Sequence, residues 1–231
     1  MTDKAPTTQP FTTSELEKRQ SIINACLEMN QTGLNQGTSG NISLRMDKGI
    51  IITPTSRPYA TMKPEDLAFL PFEAPYGHYT GPFRPSSEWR FHYDIYAARP
   101  DAGAIVHVHS TYATVLSMLR MDIPACHYMV AAFGGPNIRC SDYAIFGSKE
   151  LSDLVVKALD GRSGCLMGTH GMVTCGPNLE KAMWLAVELE TLAKQYYLAL
   201  QIGTPVILPD EEIARVQSRM RDGYGIWGDT A

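Results

Sequence analysis

The stretch Ala104-Ile105-Val106-His107-Val108-His109-Ser110, or AIVHVHS, carries a short apolar run into two histidines set one residue apart. Its length and its β-branched residues predict a strand over 104–108. On a strand, residues two apart share a face and lie about 6.5 Å apart along the chain. His107 and His109 can therefore reach one ion from a single rigid element. Without a third ligand, the same pair is two polar strand residues satisfied by hydrogen bonds. The two readings separate only when the rest of the chain is considered.

Before this strand, Ser14-Glu15-Leu16-Glu17 has the form of a capping box. Ile22, Ile23, Cys26 and Leu27 follow at helical spacing until Gly33, which predicts a first helix. Residues 41–45 and 49–53 flank Met46-Asp47-Lys48 and read as a hairpin with a short glycine-containing loop. Another strand is expected over 67–71, and the Pro- and Gly-rich stretch 71–85 reads as a surface loop. Ser86 or Ser87 is placed to cap a helix running to about Ala98, before Pro100.

After the His-x-His strand, a helix is expected over 111–119, then a loop-rich region. Ser148 opens a helix to about Leu159. Residues 164–167 and 172–174 read as strands bracketing Gly168-Thr169-His170-Gly171. Asn178 caps the longest helix, with Met183, Val187 and Leu192 among its apolar positions, and a last helix begins near Asp210. Strands and helices alternate without a strict β-α-β repeat, so a mixed sheet sandwiched by helices is expected.

The chain has 231 residues, a hydrophobic fraction of 44% and a charged fraction of 19%, values of a globular protein with one sizeable core. A net charge of −4 leaves no electrostatic footprint for nucleic acid or an anionic membrane. No apolar run approaches membrane-spanning length. Five scattered cysteines, Cys26, Cys126, Cys140, Cys165 and Cys175, contain no C-x-x-C and fit a reducing cytoplasm. Residues 1–13, polar and rich in Pro and Thr, are expected as a disordered tail, with one domain over 14–231.

His170, in its Gly-flanked turn, is the best third ligand, against the plainer reading of a solvent-exposed turn histidine. Glu88, at a helix start, can add a carboxylate. Three imidazoles with an exchangeable fourth position describe a Lewis-acid centre. His92, four residues after Glu88 on the same helix face, makes Glu88/His92 a rival pair, with a packed helix histidine as the alternative. His78 and His127 have no spaced partners.

Together, Gly-Thr-Ser-Gly-Asn (37–41), Thr-Pro-Thr (53–55), Ser-Ser-Glu (86–88), His-x-His (107–109) and Thr-His-Gly (169–171) resemble the class II aldolase/adducin family. The likeness runs from the first helix to the C-terminal tail. It implies an α/β fold: a single domain whose mixed, mainly antiparallel central sheet is flanked by helices in three αβα layers. It implies one divalent metal ion per subunit on His107, His109 and His170, zinc first and manganese or cobalt next, with Glu88 as acid/base and as ligand of the empty metal. Asn41, Thr55, Ser56, Ser86 and Ser87 match a phosphate-binding set, although the family has glycine where this chain has Ser56. Tyr128 matches a tyrosine that serves the aldehyde half across a subunit boundary, and Tyr224 a helper on the C-terminal tail.

The implied reaction is reversible cleavage of a deoxy-ketose 1-phosphate to dihydroxyacetone phosphate and an aldehyde. The expected substrates are L-fuculose 1-phosphate, 5-deoxyribulose 1-phosphate or 5-methylthioribulose 1-phosphate, and the expected assembly is a homotetramer with inter-subunit sites. Related branches would give a methylthioribulose-phosphate dehydratase, a ribulose-phosphate 4-epimerase, which has aspartate in place of Glu88, or an adducin-like binding module.

Overall fold

A computed structural model describes residues 11–222. Its centre is a six-stranded sheet built from β1 (Asn41–Met46), β2 (Gly49–Ile52), β3 (Ala68–Pro71), β4 (Ala104–Val108), β7 (Gly164–Met167) and β8 (Gly171–Gly176). The spatial order is β3-β2-β1-β4-β8-β7, and every neighbouring pair is antiparallel. Among the described residues, the parallel component is a single bridge between Cys140 and Leu166. A small ladder of β5 (Ile123–Pro124) and β6 (Asn137–Ile138) stands apart.

Helices cover both faces. On one side α1 (Thr13–Gln31), α3 (Thr111–Met118) and α5 (Leu179–Ile202) share a core with Ile42, Leu44, Ala104, Val106 and Val108. On the other, α2 (Trp89–Ala98) and α4 (Lys149–Ala158) pack on Ile50, Ile52, Ile105, Cys165 and Val173. The strand β4 is thus buried on both faces, which is why its sequence is apolar without alternation. Fully burying each such Val or Ile stabilises the fold by about 1.5–3 kcal/mol. α6 (Asp210–Arg221) closes the described chain, packing Ile213 against Ala125 and Ala131. No helix among the described residues is long and apolar enough to cross a membrane.

Several local expectations are corrected. The first helix is capped by Thr12, whose hydroxyl accepts from the Glu15 N–H at 3.2 Å, and Ser14 lies inside the helix. Its buried stripe is Ile22, Ile23, Cys26 and Met29, while Leu27 is exposed. In the hairpin, Met46 and Gly49 pair with each other, so the turn is Asp47-Lys48 and Gly49 is a strand residue packed against Phe69 and Leu70. Val187 points outward from α5. Ser148 and Asn178 cap α4 and α5 as expected, accepting from the N–H groups of Leu151 and Lys181. The β5/β6 ladder and the 3-10 turns were not legible, their runs being too short to show a period.

The start of α2 departs most usefully. The helix begins at Trp89, and neither Ser86 nor Ser87 is its N-cap; Glu88 holds that position without a side-chain capping bond. Ser86 instead turns the entry, its hydroxyl accepting from the Glu88 N–H at 3.2 Å. The Glu88 carboxylate is turned away from the helix toward β4.

Candidate metal centre and active site

The antiparallel register brings side chains distant in sequence to one end of the sheet. Asn41 opens β1 directly opposite His107 on β4, and Val173 of β8 flanks His107 on the other side. The turn joining β7 to β8 then places His170 beside the end of β4. That turn needs its glycines for close approach: a Cβ on Gly168 would meet the Ser141 carbonyl at 2.5 Å, and one on Gly171 the Val108 carbonyl at 2.6 Å. Thr169 adopts a left-handed φ of 55° and its N–H donates to the Ser117 carbonyl, which fixes the direction in which His170 leaves the turn.

Glu88, His107, His109 and His170 converge so that one ligand atom from each lies within 4.8 Å of the others. His107 Nε2 is 3.1 Å from His109 Nε2 and 3.0 Å from Glu88 Oε2; His170 Nε2 is 3.0 Å from Glu88 Oε1. The three imidazole centroids are mutually 4.9 Å apart.

Protonation tests whether this set fits a cation. His107 Nδ1–H donates to the Met172 carbonyl at 2.8 Å, so a neutral His107 turns only a lone pair toward Glu88. Glu88 Oε1 is buried without a hydrogen-bond partner. Lone pairs crowded together in this way are stable around a positive charge, and a divalent ion fits the donor set. For Glu88, burial alone would raise the pKa; positive charge on the His107 and His170 side of the carboxylate, the place a bound cation takes, outweighs it and holds the carboxyl well below its usual range. Burial, with His107 and His170 adding to it, lowers His109 to about 4, leaving a neutral imidazole at pH 7.

The rival pairing of Glu88 with His92 is not a ligand pair. His92 is fully buried, and its nitrogens are taken by Ser43 Oγ at 2.7 Å and Asn41 Oδ1 at 2.5 Å. Burial, then the neighbouring His107, lowers its pKa to about 3. In the unfolded chain His92 charges below pH 6.5, whereas in the folded chain it stays neutral until about pH 3. Its contribution is therefore complete above pH 6.5 and is lost as pH falls toward 3, amounting to about 3 kcal/mol by pH 4. Thermal melts of the metal-free chain should show the midpoint falling from pH 6.5 downward; a flat profile between pH 7 and 4 would contradict a buried neutral His92.

Beside the cluster lies a cleft of about 450 Å³ lined by Asn41, Thr55, Ser56, Ser86, Ser87, Glu88, His109 and His170. The five residues matched to a phosphate set thus reach one cavity with Glu88 and two of the histidines. Asn41 is nearly buried and already donates one N–H to Glu88 Oε2 at 3.0 Å, leaving one for a ligand. Ser56, the departure from the family pattern, takes a left-handed φ of 54°, so the loop keeps a course that glycine would adopt freely. Ser56→Gly should accordingly stabilise the chain by about 0.5–1 kcal/mol, read from denaturant melts. A destabilised variant would mean that the Ser56 side chain contributes more than its backbone strain costs.

Thr38, Ser39, Tyr143 and Phe146 also line the cleft and were not singled out from the sequence. For Thr38 and Ser39 the signal was present in the 37–41 segment; Tyr143 and Phe146 come from the irregular region before α4 and had none. Tyr128 begins a 3-10 turn, is 41% exposed and is not among the residues lining the cleft of its own chain. His127 caps that same turn through Nδ1. Tyr224 lies outside the described residues.

The three-layer fold thus carries a His₃Glu cluster able to hold a metal ion at the end of an antiparallel sheet, beside a hydroxyl-lined cleft. The family model described as class II aldolase and adducin N-terminal domain matches residues 20–197. The chain is 46% identical over 218 residues to a 5-methylthioribulose-1-phosphate/5-deoxyribulose-1-phosphate aldolase of Rhodospirillum rubrum, covering 94% of this chain and 96% of that protein. It is 48% identical over 206 residues to the L-fuculose phosphate aldolase of Escherichia coli K12, covering 89% and 94%. A solved L-fuculose 1-phosphate aldolase superposes with a TM-score of 0.85 at 36% identity, over 89% of this chain and 96% of that one. The chain belongs to the class II aldolase and adducin family, within its sugar-phosphate aldolases.

Proposed function

We propose that the protein cleaves a deoxy-ketose 1-phosphate reversibly to dihydroxyacetone phosphate and a short aldehyde, with L-fuculose 1-phosphate, 5-deoxyribulose 1-phosphate and 5-methylthioribulose 1-phosphate as the substrates to try first. The observation that carries this reading is that Glu88, His109 and His170 of the His₃Glu cluster line the same cleft as Thr55, Ser56, Ser86 and Ser87. A divalent cation held by His107, His109 and His170, zinc before manganese or cobalt, would supply a Lewis acid for the negative charge that appears as the C3–C4 bond opens.

The chain's own groups supply the rest. Hydroxyls and the free Asn41 N–H bind the 1-phosphate without a lysine, and anchoring that common half orients the scissile bond. Glu88, the carboxyl group that lines the cleft, returns a proton to C3 after cleavage. The apolar side chains of Tyr143, Ala144 and Phe146 line the same cleft and suit an apolar terminal carbon of the substrate.

Tyr128, exposed and away from its own chain's cleft, assists departure of the C4 hydroxyl proton in a neighbouring subunit of a homotetramer, and Tyr224 helps from the tail. The physiological partner is thus a phosphorylated ketose, not a nucleic acid or a membrane. Incubating the enzyme with each ketose 1-phosphate, and coupling dihydroxyacetone phosphate release to a reductase, tests the reading. Release from at least one of the three is expected; water loss or epimerisation without aldehyde release would overturn it.

A further inference from the structure

We propose that His92 is a positioning residue for the reaction, holding the Asn41 amide in the one orientation that presents a donor to the Glu88 carboxylate. The proposal rests on Glu88 being the proton carrier of the aldolase site and concerns a residue that does not itself reach the cleft.

The side chains form a buried file. Tyr96 OH lies 3.0 Å from Ser43 Oγ and 2.9 Å from the Ser43 carbonyl; Ser43 Oγ lies 2.7 Å from His92 Nδ1. His92 Nε2 lies 2.5 Å from Asn41 Oδ1, and Asn41 Nδ2 donates to Glu88 Oε2 at 3.0 Å. Ser43 and His92 are fully buried, Tyr96 is 1% exposed and Asn41 4%, so water does not substitute for a lost partner. The ring of His92 is stacked on Phe91 with centroids 4.7 Å apart, which fixes its plane.

Proton counting gives the file one direction. The Glu88 carboxylate only accepts, so Asn41 turns Nδ2 to it and Oδ1, also only an acceptor, to His92; Nδ1 of that ring accepts from the Ser43 hydroxyl, and the Tyr96 phenol donates to the Ser43 carbonyl. A neutral His92 then carries its hydrogen on Nε2 and donates to Asn41 Oδ1. The two ends of an asparagine amide have nearly the same shape, so only hydrogen bonding decides which way it points. With Oδ1 claimed by His92, Nδ2 must face Glu88. In the flipped amide Oδ1 would oppose the carboxylate, and Nδ2 would compete with the N–H of His92.

Because Asn41 sits opposite His107 in the β1/β4 register, the same donor also fixes where Glu88 stands relative to a ligand histidine. A lost file therefore leaves the three histidines of the cluster in place and loosens the carboxylate. Buried networks of this kind act as units, and removing such supporting partners typically costs about 10- to 100-fold in activity.

The test compares wild type, His92→Phe, Asn41→Ala and the double variant, with kcat, KM and bound metal measured on each. His92→Phe keeps the stacking on Phe91 and removes both hydrogen bonds. It should lower kcat about 10- to 100-fold with metal content unchanged, and the double variant should be no slower than Asn41→Ala alone. His92→Gln, whose amide can donate to Asn41 Oδ1, should recover part of the lost turnover. Should His92→Phe fail to fold, Ser43→Ala probes the same file by removing the hydroxyl that sets the tautomer, and kcat should fall in the same direction.

Wild-type kcat in His92→Phe or in Ser43→Ala would overturn the proposal, as would losses that multiply in the double variant. A wild-type enzyme that cleaves no ketose 1-phosphate would overturn the aldolase reading as well. An active wild type with an equally active His92→Phe would overturn the role of His92 alone.

Discussion

Glu88→Gln is expected to leave a folded, metal-loaded protein whose kcat has fallen about 10²–10⁴-fold, the range over which a positioned acid/base group acts. The substitution is nearly isosteric and preserves an oxygen for the Asn41 N–H, so the buried file behind it stays paired. The three imidazoles remain to hold the ion. The variant loses the ability to carry a proton between substrate carbon and solvent. Because Thr55, Ser56, Ser86 and Ser87 offer hydroxyls that Glu88→Gln leaves in place, KM for the ketose phosphate should change little. Steady-state kinetics with metal analysis on the same preparation checks this, and a variant with wild-type kcat would remove Glu88 from the chemistry.

The second large effect separates two histidines that the cluster treats as equals. His170→Ala should lose bound metal and at least about 10³-fold in turnover, since the electrostatic contribution of a Lewis acid is worth several kcal/mol. Its melting temperature in the metal-free state should hardly move. His170 sits at the end of a turn whose backbone is tied to Ser117, and its side chain is 12% exposed.

His107→Ala should lose metal and turnover equally, and lose about 2–4 kcal/mol of metal-free stability as well. Its ring is fully buried between Phe91 and the other imidazoles, and its removal opens a cavity and strands the Met172 carbonyl. Equal metal-free melts for the two variants would contradict the packing described for His107.

What the sequence made legible followed from period and from chemistry with fixed spacing. The apolar run before His107 marked a strand, and His-x-His needed only the pleat to bring two imidazoles to one place. His170 was legible because glycines on either side of it have few reasons to be there other than close backbone approach. Glu88 was read as a helix-start carboxylate, but its role at the N-cap position was hidden: Ser86 and Ser87 look like better caps, and only the fold shows the carboxylate turned to the histidines.

For His92 the packed-histidine reading holds and the pairing with Glu88 does not. Helical spacing placed it on Glu88's face, whereas β1 supplies the partners, Ser43 and Asn41, that occupy both of its nitrogens. Those contacts span about fifty residues and leave no trace in local pattern. The irregular 120–147 region, which brings Tyr143 and Phe146 to the cleft, has neither period nor motif, so its contribution depended wholly on tertiary placement.

The measurement that bears most directly on the central claim is metal stoichiometry against dihydroxyacetone phosphate release in one titration. The enzyme is stripped with a chelator, assayed on a ketose 1-phosphate it cleaves, and reloaded stepwise with zinc, manganese or cobalt. Release should vanish in the stripped enzyme and return in proportion to bound ion, saturating at one ion per chain. Undiminished release from metal-free enzyme, or saturation with no ion lost in His170→Ala, would contradict a catalytic centre built on His107, His109, His170 and Glu88.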